Sequence, residues 1–192
     1  MTTNTKNVVA GKPLATGGVW SAPLGTSLPT DETTTLNVAF VSAGYIGEDG
    51  LTETQDRSTT KVRAWGGDTV KVLQTEFSLT YQFTFIESVK GSVLGEVYGT
   101  DNVTTVAGKH AVKVTSDQLP HRAYIFEVKD DDARIRIVVP DGQITEVGEV
   151  TYSDGDVIGY QVTVEAFRDA TLGAQAVKYI DPGHSDESSS SS

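Results

Sequence analysis

The sequence predicts a mainly β chain: an antiparallel β-sandwich or barrel with one flanking α-helix, a long inter-strand loop and extended N- and C-terminal arms. Three observations lead there. Phe77, Leu79, Tyr81, Phe83 and Phe85 alternate with Ser78, Thr80, Gln82 and Thr84, a strong period of two. Short strand-like runs in the second half are separated by turn signals, as in sandwiches and barrels. Only one segment, near residues 88–98, carries a helical period.

Composition sets the outer bounds. A chain of 192 residues suffices for one domain with arms, and a hydrophobic content of 38% is low enough to leave some segments outside the core. The chain has no cysteine, which excludes disulfides, thiolate metal sites and a cysteine nucleophile. A formal charge of −11 argues against gripping nucleic acid through its phosphates, which needs clustered Lys and Arg. No apolar run approaches the ~20 residues that cross a bilayer, and the first residues lack a charged-then-apolar signal pattern. The expectation is a protein made in a cytoplasm, with no membrane insertion.

Along the chain, residues 1–35 read as an extended N-terminal arm. Pro13, Pro23 and Pro29 favour extension, and Val19, Trp20, Leu24 and Leu28 are apolar groups able to dock. Residues 36–168 read as the sandwich or barrel. Its first strand is expected at "LNVAFVSA", with Leu36, Val38 and Phe40 on one face. Residues 44–68 follow as a long polar loop without period. Connections beyond about 12–15 residues in compact domains are usually functional or disordered.

The next strand covers residues 69–87, with a bulge or tight turn expected between Leu73 and Phe77, because Val70 and Val72 fall on the opposite phase. Val89, Val93 and Val97 form a helical stripe, with Ser88 a candidate N-cap and Gly99 a candidate stop. Strands are then expected at "HAVKVTS", "RAYIFEVK" and "RIRIVV". Asp-Gly pairs at Asp141 and Asp154 are expected to turn the chain into "QITEVGEVTY" and "VIGYQVTVEAF". Residues 169–192 read as a C-terminal arm. Its "AVKYI" patch is either an edge strand or a docking segment, and Ser188 to Ser192 are expected to be disordered.

No catalytic constellation emerges. His110, His121 and His184 are far apart in sequence, and none lies near a nucleophile-elbow sequence. Their spacing, with no cysteine, does not suit zinc. Asp130, Asp131 and Asp132 lack the alternation, central Gly and distal Glu of a calcium loop, so they read as a solvated hairpin tip. Gly66 and Gly67 fit neither phosphate-binding fingerprint, and a strand rather than a helix follows them. They are expected to turn the backbone, with Trp65 anchoring that junction against the barrel or a neighbour. No enzyme activity, metal or cofactor is expected.

Six blocks in order, "GKPLATGGVWSAPLGTSLPTD", "GYIGEDGLTE", "AWGGDTVKVLQTEFS", "IE…VLGEVYG", "VVPDGQITEVGEVTY" and "GYQVTVEAF", resemble the major tail tube protein of phages with long non-contractile tails. The resemblance to this siphophage tail tube family runs from about Gly11 to about Ile180. It implies a structural virion protein that self-assembles into stacked rings, usually hexameric. The rings would enclose a tape-measure protein, meet tail terminator and distal tail proteins, and later conduct phage DNA without specific binding. Assembly would take place in the host cytoplasm.

Under that resemblance the segment from Gly47 to Asp68 is expected to contact the next ring. Its candidate contacts are Glu48, Asp49, Leu51, Glu53, Asp56, Arg57, Arg63, Trp65 and Asp68. Trp20, Leu24, Val177, Tyr179 and Ile180 are the candidate arm contacts. Lumen-facing acids are not assigned by the sequence, and Gln82 and Thr84 are candidates for a polar lining face. A carboxylate-rich lining would repel DNA phosphates and so let DNA slide. The competing reading is a sandwich binding module, such as a capsid decoration or adhesin-like protein.

Overall fold

A computed structural model describes residues 5–13 and 17–184. In chain order the elements are β1 (Lys12–Pro13), β2 (Val19–Pro23), β3 (Val41–Ser42), β4 (Thr52–Arg63), β5 (Thr69–Phe85), α1 (Gly91–Tyr98), β6 (Val103–Val106), β7 (Lys109–Val112), β8 (Arg122–Asp130), β9 (Ala133–Val147), β10 (Tyr160–Ala166) and β11 (Val177–Asp181). Nine strands form one antiparallel sheet along the path β3-β2-β8-β9-β10-β5-β4, with β1 added on β8 and β11 on β9. β6 and β7 make a separate hairpin. The mainly β, antiparallel, one-helix architecture expected from the sequence is thus present among the described residues.

The sheet coils on itself. β8 and β5 are three steps apart on the strand path, about 14 Å in a flat sheet. Yet the rings of Tyr81 on β5 and Phe126 on β8 have centroids 4.9 Å apart. The sheet must therefore curl, bringing its two halves together around one aromatic core. Tyr81, Phe83 and Phe85 meet Tyr124, Phe126 and Val139 there, and α1 adds Val93, Leu94 and Val97. On the other face of β2, β8 and β9, the segment following β2 covers a second cluster of Ala22, Phe40, Ala123, Ile125 and Val138. Burial on both faces explains why β8 reads as a continuous apolar run rather than an alternating one.

Several elements depart from the sequence reading. About half of the segment expected as a loop at 44–68 is strand: β4 pairs with β5 along its whole length. Its pattern was silent because almost all of β4 is exposed, so its alternation lacks the apolar–polar contrast that reveals a strand. The strand expected at 36–43 shrinks to Val41–Ser42. Asn37 accepts a side-chain hydrogen bond from the Ala39 amide, and its carbonyl accepts from the Phe40 amide, turning the chain. Val38 is left 99% exposed while Phe40 is buried.

The N-terminal arm is partly built into the sheet, because β2 lies between β3 and β8. The turn expected at Pro140–Gly142 is absent, and β9 runs straight through it. Its register with β8 slips here, from Tyr124↔Val139 to Arg122↔Gly142. This bulge absorbs the proline, whose missing donor a regular ladder would not tolerate. Gly142 is required by close approach, since a Cβ there would lie 2.9 Å from the Tyr124 ring. Beyond the bulge β9 leaves β8 and pairs with β10. His121 Nδ1 lies 2.6 Å from Asp141 Oδ1 and its ring packs on Phe167, so this histidine pins the bulge.

The helix starts later than Ser88, with Lys90 as N-cap and no side-chain cap, and stops at Gly99 as expected. Val89, expected on the apolar stripe, is 79% exposed. The bulge expected between Leu73 and Phe77 occurs at Thr75, which the register skips between Ser58↔Glu76 and Thr59↔Gln74. "AVKYI" resolves into β11, paired with the first half of β9. The serine run at 188–192 lies outside the described residues.

Candidate assembly surfaces

The outer part of the β4–β5 hairpin is a two-stranded ribbon that leaves the body of the protein. Every residue from Thr59 to Glu76 is exposed, and no third strand flanks this part of the ladder among the described residues. At its root Phe77 is half-buried against the core, with the Arg57 guanidinium 4.4 Å above its ring. At its tip the Ala64 amide donates to the Asp68 carbonyl and the Gly67 amide to the Ala64 carbonyl. Gly66 and Gly67 have φ of 111° and 97°, a region costly for any side chain. The double glycine is therefore a hairpin turn.

Trp65 is 107% exposed and touches no part of the barrel, so it does not anchor the junction within its own chain. Val62, Val70, Val72 and Leu73 are exposed along the same ribbon. An isolated two-stranded hairpin is marginal in water, and an apolar one attracts partners. Charge also distinguishes it: between Thr59 and Glu76, Lys61, Arg63 and Lys71 outnumber Asp68 and Glu76, in a chain whose overall charge is −11.

The expected contact residues fall into separate groups. Arg63, Trp65 and Asp68 gather at the tip, while Asp56 and Arg57 lie nearer the root. Glu48 and Asp49 sit in an exposed turn before β4, held where the Gly47 amide bonds the Thr84 carbonyl. Leu51 packs against the main core. Glu53 is engaged within the chain, with Lys178 Nζ 2.7 Å from its Oε2. Burial would raise this carboxyl, but the hydrogen bonds from Lys178 and Gln55 hold it below the usual range. The contact clasps β11 to the foot of the hairpin.

Among the arm candidates, Trp20 and Tyr179 pack on the second cluster of their own chain. Val177 is half-buried opposite Val138. Leu24 and Ile180 remain outward, 54% and 61% exposed. Gln82 is exposed on the outer face of β5 and lies 3.5 Å from the Thr163 hydroxyl of β10. Thr84, two residues on, is half-buried.

A groove on the body of the protein was not anticipated. It has a volume of about 600 Å³ and lies between the end of α1, residues 114–119 and the second half of β9. Sequence could not show it, since these segments are separated along the chain and meet only in the fold. Among the described residues no cluster of three or more His, Asp or Glu could hold a metal ion. No described helix is long and apolar enough to cross a membrane.

Two solved structures are similar to the chain at 8% identity. One is the tube-terminating cap of the anti-feeding prophage, matched over 94% of this chain and 100% of that one with a TM-score of 0.42. The other is the sheath–tube complex of an extracellular contractile injection system, PVC, in its extended state, over 93% and 97% with a TM-score of 0.41. At those scores neither likeness supports an inference. No curated protein matches the chain. A family profile described as "Phage tail tube protein" matches residues 1–189.

Proposed function

The chain belongs to the phage tail tube protein family, and from that premise we propose that it is the repeating subunit of a tail tube built from stacked, hexameric rings. The tube forms around a tape-measure protein in the host cytoplasm, ends on terminator and distal tail proteins, and afterwards conducts DNA. The subunit's role is structural and not catalytic.

The observation that carries this reading is the ribbon from Thr59 to Glu76, exposed throughout and lined with apolar side chains. A surface of this kind is unfavourable in water and acquires a reason when a neighbouring ring covers it. The outer edge of β4 has no partner among the described residues, which suits pairing between subunits around a ring. The chain's net negative charge suits a conduit from which DNA phosphates are repelled. The polar outer face around Gln82 and Thr163 is our candidate for the lining.

Electron microscopy of the purified protein tests the reading. Intact protein is expected to form tubes. A variant in which residues 59–75 are replaced by a two-residue turn is expected to stay folded without elongating. Normal tubes from that variant would remove the ribbon from ring stacking, and an intact chain that stays monomeric at high concentration would remove the tube itself.

A further inference from the structure

We propose that the groove between α1, residues 114–119 and the second half of β9 is the seat for the ribbon tip of a second copy, with Trp65 the side chain inserted. This rests on the assembly reading above and adds which surface receives the ribbon.

The groove has the size and chemistry of a receptor. Its volume of about 600 Å³ falls within the ~300–1,000 Å³ typical of ligand pockets. Val97, Tyr98, Val114, Leu119, Val147 and Val150 line it. Val114 is 80% exposed, so apolar surface faces open space there. Tyr98, Leu119 and Val150 pack behind it on the main core and make the floor firm.

One wall is an open strand edge. From Gln143 to Val147, β9 pairs with β10 alone, because β8 stops pairing at Gly142. Its other edge has no strand partner among the described residues; the Gln143 side chain reaches across, donating to the Leu119 carbonyl and accepting from the Gln118 side chain. An extended segment can add to such an edge while its side chains fill the adjacent pocket.

Charge and shape single out the ribbon tip as the occupant. The groove lining carries Asp117 and Glu146 and no Lys or Arg, whereas the tip carries Lys61, Arg63 and Lys71 against Asp68. A tryptophan supplies the largest apolar area of any side chain, and its indole N–H needs an acceptor once buried. The two rim carboxylates offer one. Trp and Arg are also the residue types that dominate binding energy at interfaces.

Register places the seat on the body of the sheet, well away from the tip of its own ribbon. Gln143 is level with Glu165 and Thr80, and Val147 with Val162 and Phe83. β5 therefore runs from the groove's level at Thr80–Phe83 back to Thr69 at the tip, about 36–46 Å at the usual strand rise. A ribbon tip seated in this distant groove of another copy makes a head-to-tail contact between unlike surfaces. Such a contact does not close on a pair of molecules and propagates along a line.

Because the chain has no cysteine, engineered thiols report on this contact alone. The double variant Trp65→Cys, Val147→Cys is assembled and oxidised, then run without reductant. A ladder of covalent multimers is expected, whereas Trp65→Cys alone gives dimers at most. The control is Trp65→Cys, Val38→Cys, with the second thiol at a fully exposed site away from the groove. Tubes that ladder through residue 38, or not at all, overturn the seat and leave the proposed function standing. If the cysteines block assembly, amide exchange of wild-type tubes decides. Residues 114–119 and 143–147 are expected to slow about tenfold or more relative to free subunits, and unchanged exchange overturns the seat. Wild-type protein that forms no tubes removes the assembly reading and the seat with it.

Discussion

Glu96 on α1 and Arg122 at the start of β8 form an ion pair beneath the helix, with Oε1 and Nε 2.9 Å apart. The pairing is one of distance rather than of an aligned hydrogen bond, since Arg122 Nε has no hydrogen-bond partner. Ser21 of β2 and Tyr124 of β8 donate to the same carboxylate, so two strands and the helix meet on one buried group. Burial pushes the Glu96 carboxyl up, against the opposing pull of Arg122, Ser21 and Tyr124.

A raised folded value means that the fold prefers the protonated acid. The associated stability is complete below the ordinary Glu range and is lost as pH rises through the raised value. Arg122→Met strips away the strongest force holding the value down. We expect it to destabilise by about 3–5 kcal/mol at pH 8, as for a broken buried pair, and by clearly less at pH 5. Urea midpoints at the two pH values test this, and equal losses would reject it.

Arg136 holds the segment after β2 against the sheet. It donates twice to Glu127 and once each to the carbonyls of Asp31 and Thr34. Arg136→Leu strands a buried carboxylate, and we expect a loss of about 3–5 kcal/mol by denaturation. The double variant Glu127→Leu, Arg136→Leu should recover a substantial part of that loss, because no unpaired charge remains. No recovery would show that the backbone anchoring matters more than the pair.

Asp31 governs part of the acid response. The Thr34 hydroxyl and amide, with the Thr33 amide, hold its carboxyl down at about 2. Its contribution is complete above the ordinary Asp range and is lost as pH falls towards that value. The stability difference between wild type and Asp31→Asn should therefore shrink between pH 5 and pH 2. A difference that stays constant over that interval counts against the turn's role.

Gly67→Ala places a side chain at a φ of 97° in a turn with open space around it. The strain is conformational, about 1 kcal/mol, and falls on a ribbon that the core does not need. Amide exchange is expected to quicken in residues 59–76 and to stay unchanged in β8. A matching change in β8 would show the ribbon and core to be one cooperative unit.

How much of this was legible in sequence follows from contrast in burial. The inner half of β5 and the whole of β10 bury one face, so Tyr81, Phe83 and Phe85 or Tyr160, Val162 and Val164 announce themselves. β4 buries neither face and carries no such signal, although its partner's bulge at Thr75 could be read from the phase change between Val72 and Phe77. Asp141–Gly142 misled because the same residue types serve bulges and turns, and only the neighbouring strand decides between them. Trp65 and the two glycines stand out in the sequence, which could not reveal that Trp65 stands clear of its own chain. The groove was invisible, since its walls come from three separate stretches, 97–98, 114–119 and 143–150, that meet only in the fold.

The continuity of β5 has a mechanical consequence. Its inner half is stitched between β10 and β4, and its outer half reaches the tip without a break in the chain direction. A pull on Trp65 along the strand axis therefore meets interstrand hydrogen bonds that lie across the load. They are strained together in shear and not opened one at a time from an end. Tension delivered at the ribbon tip would pass along this strand into the most deeply packed part of the subunit.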